Sequence, residues 1–259
     1  MADEALVKAS LVALSGLLAL ASAACSPLRA KVYGGYMQSE LTGSVALAPP
    51  ASTIPPVGAD VEDALGADTS GSPYGRLELG AGIVGLTASA FQFSSSGPGT
   101  LTADFGNLSA GTPVDSDIDF LNIKSAITID LIDVGFLRIA PGFGVDYLDL
   151  DMEVRATNIA ALERLQVQVP APLGFVQGEV KVGPVGITAD FGAMSINTEE
   201  VDGDYLDFEG LVHVKPLPHV ELFGGYRWIQ FDASGEVDGQ VYDADLELRG
   251  WFVGGGVTF

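Results

Sequence analysis

The sequence predicts an all-β protein: a closed, antiparallel, up-and-down transmembrane β-barrel of about ten strands. Three observations predict it. The chain is 47% hydrophobic with a mean hydropathy of +0.33, yet past its N-terminal region no stretch approaches the roughly 18 apolar residues of a membrane helix. Segments of ten or so residues alternate apolar with polar, as strands do when one face meets lipid. Short tight turns alternate with long polar connections, the asymmetry of membrane barrels. The 33 glycines suit many strands and turns, and a single cysteine excludes a disulfide framework.

The short turns are Gly82-Ile83-Val84-Gly85, Ile132-Asp133-Val134-Gly135, Gly183-Pro184-Val185-Gly186 and Pro216-Leu217-Pro218-His219. They separate strands predicted at 30–45, 74–83, 85–95, 114–132, 135–156, 172–183, 186–198, 204–216, 219–232 and 240–259. Eight strands is the alternative, if a weak early hairpin is miscounted. Twelve would need strands within 46–73, where the prolines argue against them. The long connections are 46–73, 95–114, 156–171, 198–204 and 233–240, with a short helix expected over Asn158 to Leu165.

Alternation assigns the faces. Leu121, Ile123, Ile127, Ile129 and Leu131 share one face, with Asn122, Lys124, Thr128 and Asp130 opposite. Leu137, Ile139, Phe143, Val145 and Tyr147 oppose Arg138 and Asp146; Val176, Val180 and Val182 oppose Gln177, Glu179 and Lys181. A soluble sandwich also alternates, but here most Lys and Arg fall within strands, opposite the apolar face. Inside a narrow barrel the interleaved charges Arg76, Glu78, Lys124, Asp130, Arg138, Glu179, Lys181, Asp190 and Arg227 should form a paired lumenal network, because an unpaired buried charge is costly. Such a lumen is plugged or very narrow. Tyr33, Tyr36, Tyr147, Tyr226, Trp228 and Trp251 are candidates for interfacial girdles. One conflict stands out: Leu246, Leu248 and Phe252 lie on the opposite phase from Val253, Val257 and Phe259. A bulge at Gly254-Gly255-Gly256 would reconcile them, and Gly224-Gly225 could do the same next door.

The termini speak to address. Leu11 to Ala23 is a short apolar core ending in small residues, so 1–24 reads as a signal peptide and 25–259 as the mature barrel. Ala21-Ser22-Ala23 is an ordinary cleavage site; Ser22-Ala23-Ala24-Cys25 offers the competing route of lipidation at Cys25. At the other end, Trp251, Val253, Val257 and Phe259 recur at alternate positions back from a terminal aromatic, with Gly255 departing. This resembles the C-terminal signal of bacterial outer-membrane β-barrels. The resemblance names a class and no particular family. It implies residence in the bacterial outer membrane, a solvent of lipid and lipopolysaccharide, and the barrel-assembly machinery as a partner. It also implies an even strand count, with short turns and both termini on the periplasmic side.

Chemistry is sparse. A net charge of -22 and a pI near 4.1 argue against a nucleic-acid partner. Some small barrels are enzymes, but the only histidines, His213 and His219, fall toward the periplasmic end, away from the acidic rim where an Asp/His couple would work. No nucleotide loop or Cys/His cluster is present, and no cofactor is expected. Asp149, Asp151 and Glu153 share one strand face and are the candidate ligands for a divalent cation at the extracellular rim. The reading is therefore a non-enzymatic outer-membrane barrel with a structural or interaction role, or narrow solute passage. A soluble or lipidated periplasmic β-sandwich that binds a ligand is the alternative.

Overall fold

The computed structural model describes residues 28–48, 57–197, 201–237 and 240–259; Cys25 and the segment 1–24 expected to be a signal peptide lie outside them. Ten long strands carry the fold: β1 Arg29–Leu47, β2 Ser70–Ala81, β3 Val84–Thr100, β4 Pro113–Ile129, β5 Leu137–Ala156, β6 Leu162–Val182, β7 Val185–Asn197, β8 Val201–Leu217, β9 Val220–Val237 and β10 Gln240–Thr258. Each pairs antiparallel with the next, and β10 returns to β1 from Lys31↔Thr258 to Leu47↔Tyr242, which closes the barrel. Two-residue segments, Ala59–Asp60 and Ile132–Asp133, add short pairings to β1 and β5. Ten is the strand number that the sequence predicts.

The turns set this order. Two-residue hairpin loops need left-handed backbone, and Gly82 and Gly183 supply it at φ of 60° and 61°. His219 takes the same conformation at φ 67° without being glycine. Its ring Nδ1 lies 2.8 Å from the Thr258 carbonyl oxygen, which ties that turn to the end of β10.

The strands alternate without a break, but what alternates changes halfway up. On β5 the outward residues are Leu137, Ile139, Phe143 and Val145, then Asp149, Asp151, Glu153 and Arg155. The inward ones are Arg138 and Asp146, then Leu148, Leu150, Met152 and Val154. The same exchange recurs round the barrel at one level: Tyr36 gives way to Gln38, Leu121 to Asp119, Trp228 to Gln230 and Trp251 to Arg249. The lower part has an apolar wall and a charged lumen; the upper part has a charged wall and an apolar core. Lipid solvates the first and water the second.

That exchange corrects several sequence expectations. No bulge exists at Gly254-Gly255-Gly256, where β10 keeps unbroken register with both β1 and β9. Gly224-Gly225 introduces none either. Leu246, Leu248 and Phe252 point into the upper core while Trp251, Val253 and Val257 point outward into the band, so both sets are satisfied by one phase in two solvents. The register shift that does occur lies between Val214 and Leu217. The helix expected over Asn158 to Leu165 is absent, since β6 starts at Leu162. Strands β3 and β9 likewise run to Thr100 and Val237, beyond the predicted ends. Tyr36, Tyr147, Tyr226, Trp228 and Trp251 face outward, but Tyr33 is buried in the lumen.

Two connections close the upper end. In the first, Asp60 Oδ1 accepts from the backbone N–H groups of Glu62 and Asp63 at 3.0 and 2.8 Å. That Asx turn folds Val61, Ala64 and Leu65 into the core. In the second, Phe105 and Leu108 exchange backbone hydrogen bonds of 2.8 and 2.9 Å, and Gly106 N–H donates to the Leu47 carbonyl at 2.8 Å. Phe105 and Leu108 are thereby buried over the top of the barrel.

Candidate functional site in the lumen

The lumen holds two fillings stacked along its axis. The lower one is ionic. Arg29, Lys31, Arg76, Lys124, Arg138, Lys181, Lys215 and Arg227 face Glu78, Asp130, Asp146, Glu179, Asp190, Asp207, Glu209 and Glu221, and each is in at least one ion pair. Among the described residues the two sets are equal in number; Arg29, Lys181 and Lys215 are partly exposed at the mouth, and for the buried members an unpaired charge would be costly. These side chains alternate with outward apolar residues on their strands, so the pleat alone delivers them inward.

At mid-barrel the pairs are fully buried. Arg227 Nε and Nη2 reach the two oxygens of Asp207 at 3.1 and 3.2 Å, a bidentate grip. Its Nη1 lies 3.4 Å from Glu209 and donates to Ser89 Oγ at 3.2 Å, and its guanidinium sits 5.0 Å above the Phe91 ring. Lys124 Nζ lies 2.7 Å from Asp207 and 3.4 Å from Glu209. Arg76 pairs with Asp190 at 2.7 Å, with Glu78 at 2.8 Å and with Glu209. Tyr74 and Tyr205 donate to Glu209 and Asp146 at 2.7 and 2.6 Å, and Asn122 Nδ2 donates to Asp146 at 2.6 Å.

Nearer the mouth at the short turns, Lys31 bridges Glu78 and Glu179 at 3.0 and 3.2 Å. Arg138 pairs with Asp130 at 2.5 Å and donates to Gln177 at 2.5 Å. Lys181 and Lys215 meet Glu179 and Glu221 at 2.9 Å each. His213 is buried here, with Nδ1 3.4 Å from Glu221 and Nε2 3.7 Å from Glu179. Gly186 makes room for it, since a Cβ there would lie 2.3 Å from the imidazole.

All nine residues named from the sequence thus line this space. Seven further charged residues join them, Arg29, Lys31, Lys215, Asp146, Glu221 and, at the centre, Asp207 and Glu209. The strand of the last two carries Leu211 on the same inward phase, which blurs the polar pattern that would have flagged them.

The upper filling is apolar. Leu41, Phe120, Leu148, Leu150, Ile229, Leu246 and Leu248 converge there, leaving unfilled space of about 30 Å³. Phe252 marks the boundary: its ring stacks on Tyr74 at 4.3 Å with 8° between planes, and Tyr74 carries the hydroxyl that reaches Glu209.

The outer wall of the upper part is strongly acidic. Arg155, Arg164 and Arg249 pair with Glu153, Asp151 and Glu40. Asp115, Asp117, Asp204, Asp232, Asp243 and Asp245 have no cation within ion-pair distance among the described residues. Partial burial and the neighbouring carboxylates of Asp245, Asp243, Asp204 and Asp202 hold Asp232 above the ordinary carboxylate range, whereas the hydrogen bond from Arg164 draws Asp151 below it. Asp149, Asp151 and Glu153 follow one another up the wall on alternate residues rather than around a point. Asp149 accepts from Gln168 at 3.1 Å, and the other two are engaged by arginine. No group of three or more His, Cys, Asp or Glu placed to hold one metal ion occurs among the described residues.

With this geometry in hand, solved structures give a likeness. The outer membrane protease OmpT from Escherichia coli matches over 90% of this chain and 96% of its own, at 10% identity and a TM-score of 0.54. The fold is that of a bacterial outer-membrane β-barrel. OprG from Pseudomonas aeruginosa is also similar (12% identity, 91% and 98% covered, TM-score 0.45), as is Ail, the attachment invasion locus protein of Yersinia pestis (9% identity, 90% and 99% covered, TM-score 0.37). At these identities the likeness is of fold alone. No family model and no curated protein matches the chain. In such a barrel the short turns face the periplasm, so the acidic wall and its apolar core stand on the extracellular side.

Proposed function

We propose that this outer-membrane barrel is sealed along its axis and works at the cell surface, in a structural or interaction role, without catalysis. The observation that carries the proposal is the double filling of the lumen: balanced ion pairs below, an apolar core above. Water and ions have no continuous polar path through that stack. The seal makes narrow axial passage the weaker reading. His213 lies within the ionic layer, beside Glu179 and Glu221, and His219 on the short turn below it, both distant from the acidic wall, so that wall lacks the base an Asp/His couple needs. The wall stands directly above the girdle of Tyr36, Tyr147, Trp228 and Trp251, where lipopolysaccharide would meet it, and divalent cations would join two such anionic surfaces. In planar bilayers the folded protein should show no stable conductance steps; large, stable steps would overturn the reading.

The last strand supports a second partner, the barrel-assembly machinery. Phe259 is 75% exposed at the foot of the band, and its N–H donates to the Ala30 carbonyl at 2.8 Å where β10 meets β1. Deleting Phe259 should lower the yield of heat-modifiable barrel in the outer membrane. Normal insertion would remove its assigned role.

A further inference from the structure

Among the described residues one unfilled gap interrupts the barrel wall on its extracellular side. Strands β6 and β7 pair from Val182↔Val185 up to Gly174↔Ala193 and no further. Beyond that point β6 continues to Leu162, still paired with β5 on its other edge, while β7 turns back through β8. Strands β2 and β3 also separate above Tyr74↔Phe91, but residues 57–69 fill that gap: Asp68 N–H donates to Ser95 Oγ at 2.8 Å, and a Cβ at Gly99 would strike the Ala64 backbone. At β6 only the extreme end is covered, where Asn107 Nδ2 donates to Glu163 at 2.8 Å. No other described segment pairs with the rest of that edge.

The sequence is written for an edge here. Pro170 and Pro172, two residues apart, delete two N–H groups from the same side of β6. The ladder to β5 passes through both in register, at Tyr147↔Pro170 and Val145↔Pro172, so the missing donors belong to the side facing the notch. Proline in a sheet is confined to such edges, and at membrane depth an unmet N–H is costly. The base of the notch, Gly174 and Ala193, lies within the apolar band. Its inner rim is Val167, Val169 and Met194, which point inward yet are partly exposed, whereas Leu148, Leu150, Ile229 and Leu248 at the same level are buried.

We infer that the notch between β6 and β7 is a lateral portal, through which a hydrocarbon chain passes between the outer leaflet and the apolar upper core. Among the described residues the ionic layer closes that core below and the two connections cover it above, which leaves the side. The space present, about 30 Å³, is close to the share of one water, so an entering chain must displace Val167 and Val169, which have a strand neighbour on one side only. The occupant is an aliphatic chain, either a lipid tail or a free apolar solute.

The test is methyl NMR on the full chain in phosphatidylcholine nanodiscs. Contacts from tail methylenes to the inward methyls of Val167, Val169, Leu246 and Leu248, lost when the tails are deuterated, identify the lipid tail. Contacts that appear only when protonated dodecane is added to deuterated discs identify the free solute. Contacts confined to the outward Val176, Val180 and Ile187 in both arms would overturn the portal. Val169→Trp, which fills the mouth, should remove the inward contacts and leave those of Val180; inward contacts unchanged in that variant would overturn the route. Axial sealing is tested separately by conductance, so either reading can fail alone.

Discussion

Arg227→Met should be among the most damaging single substitutions in this barrel. Arg227 is fully buried and holds Asp207 by two contacts, with Glu209, Asp146 and Ser89 on its remaining hydrogens. Methionine fills much of its volume but removes the charge. Asp207 and Glu209 then share Lys124, and Asp146 keeps only neutral donors, Tyr205 and Asn122. Removing one partner of a buried ion pair costs about 3–5 kcal/mol, because the remaining charge stays in low dielectric. The urea midpoint of the refolded barrel, read by gel mobility, should fall accordingly. Adding Asp207→Asn to Arg227→Met restores the charge balance and should recover part of the loss. A single variant with the wild-type midpoint would mean that the network does not hold the barrel together.

Most of the architecture is legible in the sequence, because a transmembrane strand announces itself by alternation and its turns by glycine. Phe143, Val145, Arg138 and Asp146 fix the phase of β5 by their order alone. The illegible part has one cause: the solvent outside the barrel changes along each strand. Alternation read with a single assumed solvent sorts Leu246 and Phe252 onto the lipid face and then needs a bulge to rescue Val257 and Phe259. Two solvents need none. The same assumption places Asp149 and Asp151 at a rim, when they belong to a water-facing wall, and hides the upper parts of β3, β6 and β9, whose polar outward residues resemble loop.

The notch is a further case of information present but unread. Val169, Pro170 and Ala171 fall within the connection expected at 156–171, and prolines at alternate positions do not suit an interior strand. The structure keeps the strand and gives up the neighbour instead. In a closed barrel the unit of inference is therefore the edge: two N–H groups deleted from one side say which side is unpartnered.

Phe252→Ala tests the upper core by the same logic of two solvents. Phe252 is buried, stacked on Tyr74, and so tightly enclosed that a Cβ on Gly225 would lie 2.4 Å from its ring. Truncating such a ring costs about 3–5 kcal/mol, part lost transfer energy and part cavity. Here the cavity would open beside Tyr74 and the carboxylate of Glu209, loosening both fillings together. Phe191 offers the matched control, pointing outward at 41% exposure within the band. Lipid can close over the space left by Phe191→Ala, so that variant should unfold near the wild-type midpoint while Phe252→Ala unfolds well below it. Equal losses at the two positions would mean that the upper lumen contributes no more than the lipid-facing wall, and that its apolar side chains are not a core.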